Sequence, residues 1–181
     1  KAIAVRGTKG VGNIFDPKSK ELVMFDSVQG KPLWNIPVSA QLFKMSNSFG
    51  MSGKTFFTGI TDEEKLRTIV AVDTETGKTV WQVPLMDYPS SAGMLGTDGG
   101  LLFTGKLTGE FIALDMDNGR QLWSFKTGSS INAPPITYTH KGKQYVTVTS
   151  GSATVYAALA GDPELTNIVP GSSLWTFALR D

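Results

Sequence analysis

Along this chain apolar and polar residues alternate over short runs, the spacing of half-buried β-strands. The alternation is plain in Gln144-Tyr-Val-Thr-Val-Thr149 and in Ser173-Leu-Trp-Thr-Phe-Ala-Leu179. The run Pro135-Ile-Thr-Tyr-Thr-His140 pairs with the first of these across a Lys141-Gly-Lys143 turn, which predicts a hairpin. Twenty glycines and nine prolines punctuate the runs, as expected of many tight turns between short strands. The charged stretch 60–67 reads as a rim loop or one helical turn, and 162–169 as polar and irregular with a possible short helix. The longest apolar stretch, near 153–160, falls far short of the ~20 residues of a membrane helix. The fold class predicted is all-β.

A repeat organises these strands. Met24-Phe-Asp26-Ser-Val-Gln-Gly30-Lys-Pro-Leu-Trp34 recurs as Ala71-Val-Asp73-Thr-Glu-Thr-Gly77-Lys-Thr-Val-Trp81. It recurs again as Ala113-Leu-Asp115-Met-Asp-Asn-Gly119-Arg-Gln-Leu-Trp123. The tryptophans lie 47 and 42 residues apart, the period of β-propeller blades. The Asp of each copy can accept backbone N–H groups in the turn it opens, and the Gly can supply a positive φ at its end. A tryptophan at one fixed distance beyond the corner can then pack between neighbouring blades. Asp26, Asp73 and Asp115 are accordingly structural, and Trp34, Trp81 and Trp123 are expected in equivalent buried positions. Upstream, Ser52-Gly-Lys-Thr-Phe-Phe-Thr-Gly59 parallels Asp98-Gly-Gly-Leu-Leu-Phe-Thr-Gly105. About four blades follow, over 1–40, 41–86, 87–128 and 129–181.

Composition narrows the chemistry. The net charge is +1 and 18% of residues are charged, so neither nucleic acid nor an anionic membrane surface is indicated as a partner. With no cysteine and one histidine, disulfides, thiolate zinc sites and thiol nucleophiles are excluded. A catalytic triad would have to use His140, which sits in a turn. Residues 1–10 have no apolar leader-like core, as at a mature terminus or an internal cut.

Residues 99–128, from Gly99-Gly-Leu-Leu-Phe-Thr-Gly-Lys to Gln121-Leu-Trp-Ser-Phe-Lys-Thr-Gly128, resemble the last complete blade of the pyrroloquinoline quinone (PQQ) dependent alcohol dehydrogenases. Ser129-Ser-Ile-Asn-Ala-Pro-Pro-Ile-Thr-Tyr138 and Gly142-Lys-Gln-Tyr-Val-Thr-Val-Thr-Ser-Gly151 continue the resemblance, which is specific from about Ser90 onward. It implies a portion of a closed eight-bladed propeller. An open arc of four blades would expose two blade faces and unpaired strand edges. Another chain, or another segment of a longer one, is therefore expected to supply the missing blades.

The resemblance further implies two-electron oxidation of an alcohol to an aldehyde or ketone. PQQ lies on the propeller axis, polarised by calcium or a lanthanide, with the metal ligands and the catalytic base outside this chain. Among residues present, Lys9 in Thr8-Lys-Gly10 is similar to a family position whose cation hydrogen-bonds the quinone oxygens, the alternative being a solvated surface lysine. Ser91 and Gly93 lie in Tyr88-Pro-Ser-Ser-Ala-Gly-Met-Leu-Gly96, which leads an inner strand toward the axis. Asn132 precedes the strand 135–138, where its amide either stabilises the turn or faces the axial cavity. At Ser91-Ala92 and at Ser150-Gly-Ser-Ala-Thr154 the sequence lacks tryptophans that many members carry, which implies a roomier cavity. The isolated chain is expected to be inactive, the compartment to be the periplasm, and the electron acceptor to be a cytochrome c. The alternative is a non-enzymatic propeller such as the scaffold lipoprotein of outer-membrane assembly.

Overall fold

A computed structural model describes residues 4–6, 11–16, 21–26, 29–37, 49–52, 55–61, 67–73, 75–84, 92–151, 165 and 167–179. They form four antiparallel sheets that follow one another along the chain. The first contains β1 (Ala4–Arg6), β2 (Val11–Asp16), β3 (Glu21–Asp26) and β4 (Lys31–Pro37). The second contains β5 (Phe49–Ser52), β6 (Thr55–Thr61), β7 (Arg67–Asp73) and β8 (Thr79–Pro84). The third contains β9 (Leu95–Gly96), β10 (Leu101–Gly105), β11 (Glu110–Asp115) and β12 (Gln121–Lys126). The fourth contains β13 (Ile136–His140), β14 (Lys143–Gly151) and β15 (Ser172–Ala178). Each sheet is a meander in sequence order, the architecture of propeller blades. Most of the stretch 162–169, and the centre of the 60–67 insertion, lie outside the described residues.

The repeated motif builds the same corner three times. Trp34 sits opposite Met24, Trp81 opposite Ala71 and Trp123 opposite Ala113, and each ladder shifts register immediately after that pair. The bulge turns the strand into a tight loop. In the second sheet the Asp73 carboxylate accepts the backbone N–H of Glu75 (3.1 Å) and Thr76 (2.7 Å), and the Asp73 carbonyl accepts Gly77 N–H at 2.9 Å. In the third, Asp115 accepts Asp117 N–H at 2.8 Å and its carbonyl accepts Gly119 N–H at 2.8 Å. Gly30, Gly77 and Gly119 close these turns at φ 68°, 69° and 75°. The carboxylates of Asp73 and Asp115 are turn-formers, as their spacing predicts, and the Asp26 side chain lies outside what is described.

Two of these glycines do a second job. A Cβ on Gly77 would stand 2.9 Å from Trp34 Cγ, and one on Gly119 would stand 2.7 Å from Trp81 Cε3. The indoles of Trp34 and Trp81 therefore lie against the glycine of the next blade's turn. Trp81 Nε1 also donates to the Met116 carbonyl of that turn at 2.8 Å. Trp34 and Trp81 are half-buried in these equivalent seats. Trp123 departs from the expectation. It is 37% exposed, and it packs edge-on against Phe177 with centroids 5.1 Å apart. Sheet 4 presents no Asp-x₃-Gly turn among the described residues to receive it.

The cores lie between sheets. Ile69, Ala71, Met94, Leu102, Ile112 and Leu114 fill the gap between sheets 2 and 3 with Trp81 and Met116. Ala92, Phe111, Ile131, Val146 and Val148 fill that between sheets 3 and 4, with Phe103, Trp175 and Phe177 against them. Strand β11 feeds both: Ile112 and Leu114 face one neighbour and Phe111 the other, all at most 1% exposed. The predicted hairpin is present as β13–β14, its two-residue loop Lys141-Gly142 at φ 50° and 76°.

Trp81→Ala is expected to lower stability by about 3 kcal/mol, read as a shift of the denaturant midpoint. Trp123→Ala is expected to cost less than Trp81→Ala in the same chain. Gly119→Ala and Gly30→Ala separate backbone strain from contact. Both carry positive φ, worth about 1–2 kcal/mol. Only Gly119 also meets an indole, whereas a Cβ on Gly30 meets nothing within 4 Å. Gly119→Ala should therefore be the more destabilising of the two.

Candidate functional site

The connector from β12 to β13, residues 127–135, carries the sequence-predicted Asn132 and runs beside Gly93. It is held by hydroxyl groups rather than by a ladder. Thr127 N–H and Thr127 Oγ1 both lie 2.9 Å from the Gly109 carbonyl, at the turn joining β10 to β11. Ser150 Oγ, at the end of β14, donates to the Ser129 carbonyl at 2.7 Å and stands 2.7 Å from Thr127 Oγ1. Ser130 Oγ donates to the Leu107 carbonyl at 2.5 Å, Ile131 N–H to the Lys106 carbonyl at 3.1 Å and Gly151 N–H to the Ser130 carbonyl at 2.8 Å. Thr127, Ser129, Ser130 and Ser150 are all buried. The network ties sheet 3, the connector and sheet 4 together at the end of the blades opposite the tryptophan turns.

Close backbone contacts complete it. A Cβ on Gly105 would lie inside the Ile131 side chain, and one on Gly109 would stand 2.7 Å from the Ser129 carbonyl oxygen. Gly93 has the same use: a Cβ there would stand 2.6 Å from Pro134 Cβ. Its carbonyl accepts Thr104 Oγ1 at 3.3 Å. Lys106 and Glu110 form an ion pair of 3.0 Å on the same turn. The structure thus brings Gly93 and the Asn132 connector together through Pro134. Lys9 and Ser91 lie outside the described residues.

Two atoms of the connector, Asn132 Oδ1 and Ser129 Oγ, are buried and have no hydrogen-bond partner among the described residues. A buried polar atom left unpaired costs about 1–3 kcal/mol, so each calls for a partner, whether a water or a ligand. No group of three or more His, Cys, Asp or Glu side chains able to hold a metal occurs among the described residues. His140 is exposed at the end of β13, opposite Lys143. Sequence reasoning singled out Asn132 but missed the hydroxyl network. Its one trace in the sequence is the run Thr127-Gly-Ser-Ser130, small and polar where a loop is expected.

Thr127→Val removes the hydroxyl that bridges Gly109 and Ser150 while keeping the shape. A loss of about 1–3 kcal/mol is expected by chemical denaturation.

Comparison with known proteins follows the same lines. The sequence profile of the family described as outer membrane protein assembly factor BamB matches residues 65–181. The quinoprotein alcohol dehydrogenase PedE of Pseudomonas putida is 41% identical over 119 residues, 65% of this chain and 19% of that protein. Among solved structures, a europium-containing methanol dehydrogenase superposes with TM-score 0.75 at 19% identity, over 99% of this chain and 47% of that one. BamB from Moraxella catarrhalis superposes with TM-score 0.60 at 23% identity, over 79% of this chain and 41% of that one. The chain spans about a fifth of the length of the curated relative and about half of the dehydrogenase structure. It belongs to the quinoprotein-like propeller family of that profile, and its fold is part of the β-propeller found in both the quinoprotein alcohol dehydrogenases and BamB.

Proposed function

We propose that this chain is the C-terminal part of a PQQ-dependent alcohol dehydrogenase and works only together with the remaining blades. The observation that carries the reading is the 41% identity to the quinoprotein alcohol dehydrogenase PedE over 119 residues. The reaction is removal of two electrons and two protons from an alcohol, giving an aldehyde or ketone, and PQQ when bound takes up both. The electrons then pass to an external acceptor, a cytochrome c, in the periplasm. Calcium or a lanthanide is held by residues outside this chain.

The contribution of these residues is to wall and orient the axial cavity. Asn132 presents a carboxamide whose buried oxygen lacks a protein partner, and a polar, hydrogen-bonding cofactor fits that need. The hydroxyl network behind it fixes the connector, so the amide is held in place before a ligand arrives. Gly93, close against Pro134, sets the approach of its segment, and Ser91, two residues before it in the sequence, is assigned to the same cofactor wall. Lys9 supplies positive charge that favours the reduced, anionic quinol.

The family profile's description and the Moraxella fold support a second reading, a scaffold propeller without cofactor. Titration of the full-length protein with PQQ and calcium decides between them. Stoichiometric binding, with dye-linked alcohol oxidation, is expected. Asn132→Ala should weaken PQQ binding about ten-fold, for the loss of roughly one hydrogen bond. A full-length protein that binds no PQQ with calcium or with a lanthanide present would establish the scaffold reading.

A further inference from the structure

The three Asp-x₃-Gly turns differ in the residue that precedes the glycine. It is Gln29 in the first, Thr76 in the second and Asn118 in the third, and Asn118-Gly119 is the one Asn-Gly pair in the chain. Such a pair carries a latent reaction, because glycine has no Cβ to shield its backbone nitrogen from the carboxamide beside it. Asn118 is exposed, so water reaches it. The closed turn nonetheless occupies each group the reaction needs. Gly119 N–H, on the attacking nitrogen, donates to the Asp115 carbonyl at 2.8 Å. Asn118 Nδ2 donates to Asp115 Oδ2 at 3.0 Å, and Asn118 Oδ1 accepts Arg120 N–H at 2.9 Å. Gly119 is buried beneath Trp81, where a Cβ would stand 2.7 Å from Trp81 Cε3. Joining Gly119 N to Asn118 Cγ requires both atoms to leave these contacts.

We propose that Asn118 is a modification site gated by the Trp81 seat: it deamidates when the joint between sheets 2 and 3 opens, and not while Trp81 rests on Gly119. In the open turn Gly119 N attacks Asn118 Cγ, and the new N–C bond closes a cyclic imide. The side-chain nitrogen leaves as ammonia, carrying the proton that Gly119 gives up. Water then opens the imide at either carbonyl to give aspartate or isoaspartate, so each conversion consumes a water and releases an ammonia. In isoaspartate the main chain runs through an extra methylene, and the Asp115-to-Gly119 spacing that seats Trp81 is lost. The new carboxylate also stands in sequence beside Asp115 and Asp117, adding like charge. Length and charge both oppose closure, so a transient opening becomes a lasting one. The other two turns lack this chemistry, since a glutamine must close a larger, slower ring and a threonine has no carboxamide. The inference concerns the joint alone and does not require that the propeller bind a cofactor.

Ageing of the full-length protein at mildly alkaline pH tests this, with mass-spectrometric peptide mapping that resolves aspartate and isoaspartate from asparagine. In the folded protein Asn118 should convert at least about 100-fold more slowly than in the same protein unfolded in urea. Trp81→Ala should raise the folded-state rate at least about ten-fold. Trp81→Phe serves where Trp81→Ala does not fold: it keeps a ring on Gly119, gives up the bond to the Met116 carbonyl, and should raise the rate in the same direction. Gly30→Ala weakens a turn of another sheet and should leave the Asn118 rate unchanged. A folded-state rate within about ten-fold of the unfolded one would overturn the proposal, because the turn would then offer no protection. So would Trp81 variants that convert at the unaltered rate. An equal rise in Gly30→Ala would overturn it as well, since global unfolding and not the joint would then be the gate.

Discussion

The fold turns on one contact, an indole lying on a glycine. Trp34 on Gly77 and Trp81 on Gly119 are possible only because those positions lack a Cβ. The same glycines hold a positive φ that ends an Asp-initiated turn. One residue thus serves both the local corner and the contact between blades. The constraint spreads from there. The turn must sit at a fixed height, so the bulge after Met24, Ala71 and Ala113 recurs at the same step of each ladder. The carboxylate must cap the turn, so the Asp is fixed four residues before the Gly. The Trp follows at the same distance because the returning strand has only one register that lays it against the next blade.

The opposite end of each blade is held by different chemistry. At the tryptophan end sheets 2 and 3 meet through a flat ring and one N–H. At the far end sheets 3 and 4 meet through hydroxyls that reach carbonyls left free by the connector. The apolar clusters lie between these two ends, and β11, buried on both faces, belongs to both clusters. This division bears on function. The aromatic end joins sheets 2 and 3 through Trp81 on Gly119, whereas the hydroxyl end is built of loops, and Asn132 and Gly93 sit there. Loops fixed at several points by buried hydrogen bonds combine the exposure a ligand needs with the precision it needs.

How much of this was legible in the sequence depended on whether the feature repeats. The Asp, Gly and Trp of the three motifs are read by comparison of the chain with itself, and their structural roles follow from backbone geometry alone. The β13–β14 hairpin was equally plain, since Lys141-Gly142 interrupts two alternating runs. The equivalence of Trp123 with the other two was not legible. A motif records the indole that a blade contributes and says nothing of the turn that must receive it, and sheet 4 has no such turn among the described residues. The hydroxyl network was hidden for a related reason. Thr127, Ser129, Ser130 and Ser150 are common loop residues, and only their convergence from three segments gives them a role.

The docking contact cannot by itself distinguish a dehydrogenase from a scaffold, because any ring of blades needs it. The distinction has to lie where a propeller's stability is not served. Thr127 and Ser150 spend their hydroxyls on carbonyls, Gly105 and Gly109 give up side chains to let the connector close, and each of these choices stabilises the joint. Asn132 does not. Its buried carbonyl oxygen meets no donor, and a burial of that kind without a partner costs about 1–3 kcal/mol. A scaffold gains nothing from that cost, and an apolar side chain of similar size would remove it. Ser129 Oγ shares this burial without a partner, so these two atoms of the connector are the described places where a test of the two readings can be made.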